Sequence, residues 1–208
     1  MTNELNITIR GETPEDYESI LLLTYKAFLN LDNPDRKRLD EHFLLSLIRN
    51  SDSVVSGLSF VAEQEGEIVG YFYYTKSGFT RPDGSKAETI TFGPLAVSPE
   101  VSEHGVGGAL VEHSLKKARE MNYPAVLIVG SPEYFPGLDF KPAREYGLTL
   151  EDGSAPDEFM VYELTPGYLA GGGVFDSWAK EYDTAGSDDE GFAVFHKNFI
   201  EKYYPKSS

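Results

Sequence analysis

Between Ile90 and Met121 the chain reads ITFGPLAVSPEVSEHGVGGALVEHSLKKAREM. Its middle, Glu103-His104-Gly105-Val106-Gly107-Gly108, holds the residue types best suited to binding chemistry. Glycines at 105, 107 and 108, just ahead of a helical pattern, suit an anion cradle. The first N–H groups of a helix have no intrahelical partner, and the helix dipole adds partial positive charge there. Glycine removes the Cβ atoms that would hold a phosphate away and permits the positive φ angles that a nest of amides needs. A glycine turn that merely starts a helix has the same composition, so the flanking elements must decide.

Those flanks are ordered. Phe92 to Val97 is an apolar run long enough for a buried strand, and it breaks at Ser98-Pro99. After the loop, Val106, Leu110, Val111, Leu115 and Ala118 fall on one helical face. A second apolar strand, Ala125 to Val129, follows at the spacing of a β-α-β crossover. Strand, glycine loop, helix and strand together would aim unpaired amides at a ligand beside the first strand's end.

This order resembles the acetyl-CoA-binding core of the GCN5-related N-acetyltransferase (GNAT) superfamily. There a strand ending in L-x-V is followed by Q/R-x-x-G-x-G/A and a helix. Leu95-Ala96-Val97 matches the strand end, Gly105-Val106-Gly107 matches the glycines, and Ser102 stands where the family has Gln or Arg. The resemblance implies that Leu95, Ala96 and Val97 hydrogen-bond the pantetheine arm. It also implies that Glu103, His104, Gly105, Val106, Gly107, Gly108 and Ala109 hold the pyrophosphate, mainly through backbone. Phe60-Val61-Ala62-Glu63 and Ile68-Val69-Gly70 match the superfamily's "V-A-E-x-x-G-x-I-V-G" hairpin.

After Val129, the segment Gly130 to Ala143 resembles G-D-P-x-Y-Y-x-R-F-G-F-x-P-A of one bacterial branch of predicted N-acetyltransferases. It departs from that pattern at Ser131, Phe135, Gly137, Leu138 and Asp139. The general acid that relatives place here falls on Phe135, which has no proton to give. Tyr134 is the hydroxyl-bearing aromatic beside it, and the resemblance makes it the candidate acid. Packing of its ring is the competing reading. Glu63, Glu88, Glu133 and Asp139 are candidate bases by location only, and each also reads as a solvated surface acid.

Composition bounds the rest. The chain has 208 residues, no cysteine and a formal net charge of −16 from 34 acidic and 18 basic residues. No cysteine means no disulfide and no thiolate metal site, and it fits a reducing cytoplasm. The four histidines show no metal-ligand spacing. No apolar run approaches the roughly 18 residues of a membrane span, and MTNELNITIR has no basic segment leading into an apolar one. A cytoplasmic protein without a membrane or nucleic-acid partner is therefore expected, since a strongly acidic surface repels both.

The fold class expected is α/β (α+β), with a GNAT-like mixed, mostly antiparallel twisted sheet and helices on both faces. Thr13-Pro14-Glu15-Asp16 reads as a helix start, with the helix ending near Leu29, and Leu39 to Arg49 as a second helix. Ser51 to Ser56 reads as a polar connection, and Phe60 to Gln64 with Ile68 to Lys76 as a hairpin. The alternating aromatics of its second arm suit sheet packing rather than a ligand platform. Asp157 to Leu164 reads as a final strand. The resemblance covers roughly residues 6–178, so residues 1–178 are expected as the acetyltransferase-like domain. Residues 179–208 are expected as an acidic linker and a C-terminal amphipathic helix. That helix carries Phe192, Phe195, Phe199, Ile200 and Tyr203 on one face, suited to the protein's own core or to a homodimer contact.

Three functions fit. The first is an N-acetyltransferase moving an acetyl group from acetyl-CoA directly to a primary amine of a small molecule or peptide. The second is a catalytically idle acyl-CoA-binding protein. The third is a nucleotide- or phosphate-binding module sharing only the loop. A tight parallel pairing beside residues 95–97 would exclude the first two, and a splayed one would admit them.

Overall fold

In a computed structural model, residues 6–29, 38–130 and 137–205 are described. Strand β1 (Thr8–Gly11) is followed by a 3-10 turn over Pro14–Asp16 and helix α1 (Tyr17–Leu29). Helix α2 (Glu41–Ile48) leads into the long hairpin of β2 (Val54–Gln64) and β3 (Glu67–Thr80). Next come β4 (Lys86–Phe92), β5 (Ala96–Val97), α3 (Val106–Glu120) and β6 (Ala125–Val129). The chain ends with β7 (Lys141–Pro142), β8 (Leu148–Leu150), β9 (Phe159–Glu163), β10 (Gly173–Ser177), α4 (Glu181–Ser187) and α5 (Asp189–Tyr203). The main sheet runs β1-β2-β3-β4-β6-β9-β7, with β5 and β10 also paired to β3. It is mixed and mostly antiparallel, the parallel pairs being β4–β6 and β8–β10.

The helix start at Thr13 forms through Asp16. Its carboxylate accepts the Thr13 N–H at 2.8 Å and both ends of the Arg10 guanidinium at 2.7 and 2.9 Å. Those bonds, led by Arg10, hold the Asp16 carboxyl well below the usual range. The hairpin is longer than its alternation suggests. Val54 pairs with Thr75 and Val55 is buried, so the segment expected as a polar connection begins the strand.

Alternation along β3 separates two cores. Phe72 and Tyr74 pack beneath α3 with Ile90, Leu110 and Val111. Tyr71 and Tyr73 face the other way, against Ile20, Leu45 and Ile48 of α1 and α2. Helices thus cover both faces, and the rings of the aromatic stripe pack against them. A third cluster, with Phe79, Phe159 and Phe175, closes the far end of the sheet. Among the described residues no helix is long and apolar enough to cross a membrane.

The acidic run 183–191, expected as a linker, is helical on both sides of Asp188. Its acids serve as helix starts: Asp188 accepts the Gly191 N–H at 2.8 Å, and Asp189 and Glu190 occupy the first turn of α5. The aromatic face of α5 packs on the protein itself. Phe195 meets Phe43 with ring centres 5.4 Å apart, and buried Phe199 meets Tyr25 at 4.8 Å.

His42 Nε2 lies 3.0 Å from His196 Nδ1, and its own Nδ1 is buried without a partner. Burial, with neighbouring His196 second, pushes the His42 imidazole down to about 3. The folded state therefore holds His42 neutral, while the unfolded chain takes up a proton below about 6.5. Stability from this site is complete above that value and is lost as pH falls towards 3. Urea denaturation from pH 7 to 4 should show stability falling with a slope approaching about 1.4 kcal/mol per pH unit from this group. His42→Gln should flatten that part of the profile. An unchanged slope would assign the acid sensitivity elsewhere.

Candidate functional site

The expected buried strand over Phe92–Val97 is interrupted. Pro94 has no N–H for a ladder, and Gly93 sits at φ 144°. β4 pairs with β3 up to Phe92 opposite Tyr74, and β5 resumes with Ala96 opposite Tyr71. Three steps on β3 therefore face four on its partner, which is a β-bulge at residues 93–95.

On its other side β4 meets β6 in parallel at one registered pair, Ile90 with Val126. The Thr91 hydroxyl donates to the Leu127 carbonyl and closes the root of the wedge. Beyond it the strands part. Among the described residues β5 pairs only with β3, and Val129 at the end of β6 is 57% exposed. A cleft of about 1150 Å³ fills the opening, with the bulge and Val97 on one side and Ile128 to Gly130 on the other.

The glycine loop forms one end of this cleft. Buried Val101, on a 3-10 turn over Pro99–Val101, pins the approach. Gly105 caps α3 at φ 78°, with no side-chain capping bond. The first helical bond is Ala109 N–H to Gly105 O at 3.0 Å, so the amides of Val106, Gly107 and Gly108 precede the helical ladder. A Cβ at Gly105 or Gly108 would meet no atom within 4 Å, whereas one at Gly107 would reach Leu95 and Val97 at 3.4 and 3.5 Å. The helix is seated by another glycine. A Cβ at Gly70 would come within 2.8 Å of Leu110 and 3.0 Å of Val106.

Of the residues singled out in the sequence, Leu95, Val97, Glu103, Gly105, Gly107 and Gly108 line the cleft. Ala96 and Val106 are fully buried, and His104 is exposed. Tyr134, Phe135 and Glu133 lie outside the described residues. Among the candidate bases, Glu63 bonds Arg10 and Asp139 pairs with Lys141, and neither they nor Glu88 line the cleft. Asp40 and Glu41, at the start of α2, line it instead. Neither stands in a motif or spacing that would mark it in the sequence.

Sequence reasoning also missed Tyr182 of α4. This phenol lines the cleft and donates to the Gly93 carbonyl at 2.9 Å, tying the C-terminal segment to the bulge. Burial pushes it up to about 12, so it stays protonated at neutral pH. Nothing local in the run Trp178-Ala179-Lys180-Glu181-Tyr182 marks a contact with residue 93.

Comparison with known proteins supplies the context. Residues 23–140 match the pattern of the family described as Acetyltransferase (GNAT) family. The uncharacterized N-acetyltransferase YjhQ of Escherichia coli (strain K12) is 32% identical over 99 residues, 48% of this chain and 54% of that protein. The match thus spans about half the length of that curated relative. Among solved structures, a GNAT family N-acetyltransferase (YhbS) from Escherichia coli in complex with CoA is similar with a TM-score of 0.70. Its identity is 22%, over 88% of this chain and 95% of that one. A GNAT family acetyltransferase from Brucella melitensis in complex with acetyl-CoA gives 0.67 at 20% identity, over 86% and 99%. At these identities the likeness establishes the fold.

Replacing Tyr182 by Phe keeps the ring and removes its bond to the bulge. The expected result is a stability loss of about 1 kcal/mol in urea denaturation, with faster amide exchange at residues 95–97. Unchanged exchange there would confine Tyr182 to packing of α4.

Proposed function

The chain belongs to the acetyltransferase (GNAT) family, and from that footing we propose that it is an acetyl-CoA-dependent N-acetyltransferase acting directly on a primary amine. The acceptor is a small molecule or a peptide. The observation that carries this reading is one continuous cleft joining the unbonded amides of α3 to the β4–β5 bulge. The complexes of the YhbS protein with CoA and of the Brucella protein with acetyl-CoA support the choice of co-substrate.

The residues present fit such a ligand. The amides of 106–108, backed by the α3 dipole, suit a pyrophosphate, and the open space above Gly105 and Gly108 admits close approach. The edge of β5 turned away from β3 offers backbone groups to an extended amide-bearing arm, and Leu95 with Val97 supplies apolar contact. The bulge lines the cleft, and a backbone N–H there can polarise a carbonyl.

Acetyl-CoA supplies an activated thioester. In the transfer, the amine nitrogen bonds to the carbonyl carbon, the C–S bond breaks, the amine gives up one proton and the sulfur takes one. The cleft's part is to hold both partners in line and exclude water. Asp40, Glu41 or a water they hold can receive the amine's proton. We assign proton donation to sulfur to Tyr134, from its place just after β6.

Two substitutions test this. Gly107→Asp adds a side chain and a negative charge beside the amides, and calorimetry should show acetyl-CoA binding lost in a folded protein. Undiminished affinity would remove the loop from the site. Tyr134→Phe should lower turnover about 10²-fold while acetyl-CoA still binds. Equal turnover would end the role of Tyr134. Binding without turnover in the parent, against a broad amine panel, would favour an idle acyl-CoA-binding protein.

A further inference from the structure

A second cavity, of about 250 Å³, lies on the face of the sheet that α1 and α2 cover. Its lining includes Glu12, Arg49 and Tyr73. Each carries a buried polar atom without a hydrogen-bond partner: Glu12 Oε2, Arg49 Nη2 and the Tyr73 hydroxyl. Buried polar atoms are almost always paired, so the Glu12 and Arg49 atoms call for a partner within the cavity, while the Tyr73 hydroxyl is shared between the cavity and the Tyr182 phenol.

The arrangement is held from behind. The Arg49 guanidinium stacks 3.7 Å from the centre of the Tyr17 ring, and the Glu12 N–H bonds to the Ser59 carbonyl at 3.1 Å. The buried Tyr71 phenol lies against both charged groups. Glu12 Oε2 and Arg49 Nη2 stand 4.0 Å apart, too far for a hydrogen bond and close enough for one small molecule to touch both. Tyr73 is 1% exposed, and its hydroxyl faces the Tyr182 phenol as well as the cavity. Leu45, Ile48 and Val54 complete an apolar wall.

We propose that this cavity binds the head group of the acceptor, and that the head group carries an ammonium and a carboxylate close together, as a small free α-amino acid does. The word acceptor rests on the acyltransferase reading; the binding site does not. A lone amine would leave Arg49 Nη2 unpaired, and a lone carboxylate would leave Glu12 unpaired and repel it. A zwitterion satisfies both, its ammonium donating to Glu12 and to the Tyr73 oxygen and its carboxylate accepting from Arg49. Volume permits this, since a cavity of about 150 Å³ holds a benzene ring.

The cavity also lies in the right place. The β3 ladder meets β4 at Tyr74 and β5 at Tyr71, so Tyr73 stands alongside the bulge. The Tyr182 phenol, which bonds Gly93, neighbours Tyr73 from the cleft side.

The test is calorimetry on the full chain without acetyl-CoA, using L-alanine, L-serine and L-lysine, with ethylamine and propionate as half-ligands. At least one amino acid should bind, and each half-ligand should bind at least about 10-fold more weakly. Arg49→Met and Glu12→Gln should each weaken that binding about 10- to 100-fold and leave acetyl-CoA affinity unchanged, which also reports that they fold. Tyr73→Phe, which keeps the ring, should weaken it as well and guards against misfolding of the charge variants. The site is overturned if no amino acid binds, if the half-ligands bind equally well, or if a crystal soaked in the amino acids shows only water there. Binding that all three substitutions leave intact overturns it too. Binding without N-acetylation when acetyl-CoA is added overturns the acceptor role alone. Failure of acetyl-CoA to bind overturns the proposed function and leaves the amino-acid measurement standing.

Discussion

Pro94 offers no N–H to β3, and Gly93 before it takes a φ that favours glycine, so the ladder of β4 stops at Phe92 and resumes one residue out of step at Ala96. A bulge bends its strand and adds twist. Here the bend carries β5 away from β6 while β3 keeps hold of both segments. β6 cannot follow, because its full length is registered against β9, from Ala125 opposite Glu163 to Val129 opposite Phe159. One strand is held on each side and the space opens between them. The cleft is therefore a property of backbone pairing, and most of its side chains could change without closing it.

The glycine loop depends on the same arrangement. α3 can reach the end of the cleft only if it lies close to β3, and Gly70 permits that by leaving room for Val106 and Leu110. The same Gly70 pairs with Val97, so the seat of the helix and the end of the bulged strand share one residue. A net charge of −16 does not defeat an anion site built this way. Exposed charges farther than about 10 Å are screened at ordinary ionic strength. Amides at hydrogen-bond distance act unscreened, in a region the acids do not enter apart from Glu103, Asp40 and Glu41.

Local pattern carried most of the architecture. Val106, Leu110, Val111, Leu115 and Ala118 read as a helix face and are buried on one. The alternation of Ile68 to Tyr74 read as a two-sided strand, and β3 has a core on each side. What the pattern could not show is what depends on distant pairing. The run FGPLAV is apolar throughout, and only the register against β3 reveals that it is two strands. The acids of 183–191 carry the composition of a linker, and only their neighbours turn them into caps. Tyr182 and Gly93 are 89 positions apart, and Glu12 and Arg49 come from elements that periodicity cannot place together.

The C-terminal helices α4 and α5 contribute to the cleft although they lie outside the sheet. α4 brings Tyr182, Ala185 and Gly186 to the cleft, but seven residues make too short a helix to hold a position alone. Packing of buried Ala185 in the α2 core holds one side of it, and α5 adds a second hold. Arg38 bonds the Ala185 carbonyl at the end of α4 and Asp189 at the start of α5, and its guanidinium lies 4.6 Å from the centre of the Phe192 ring. Phe195 and Phe199 then anchor α5 on Phe43, Tyr25 and His42. Farther along, Tyr203 and Lys202 both reach Glu18 of α1 at 2.8 Å. Burial of those aromatic rings is the larger contribution, because surface ion pairs such as Lys202–Glu18 are individually weak. The wall of the cleft is thus fixed by α4 packing on α2, with Ala185 buried there, and by α5 behind it, and the Tyr182 phenol ties it to the bulge.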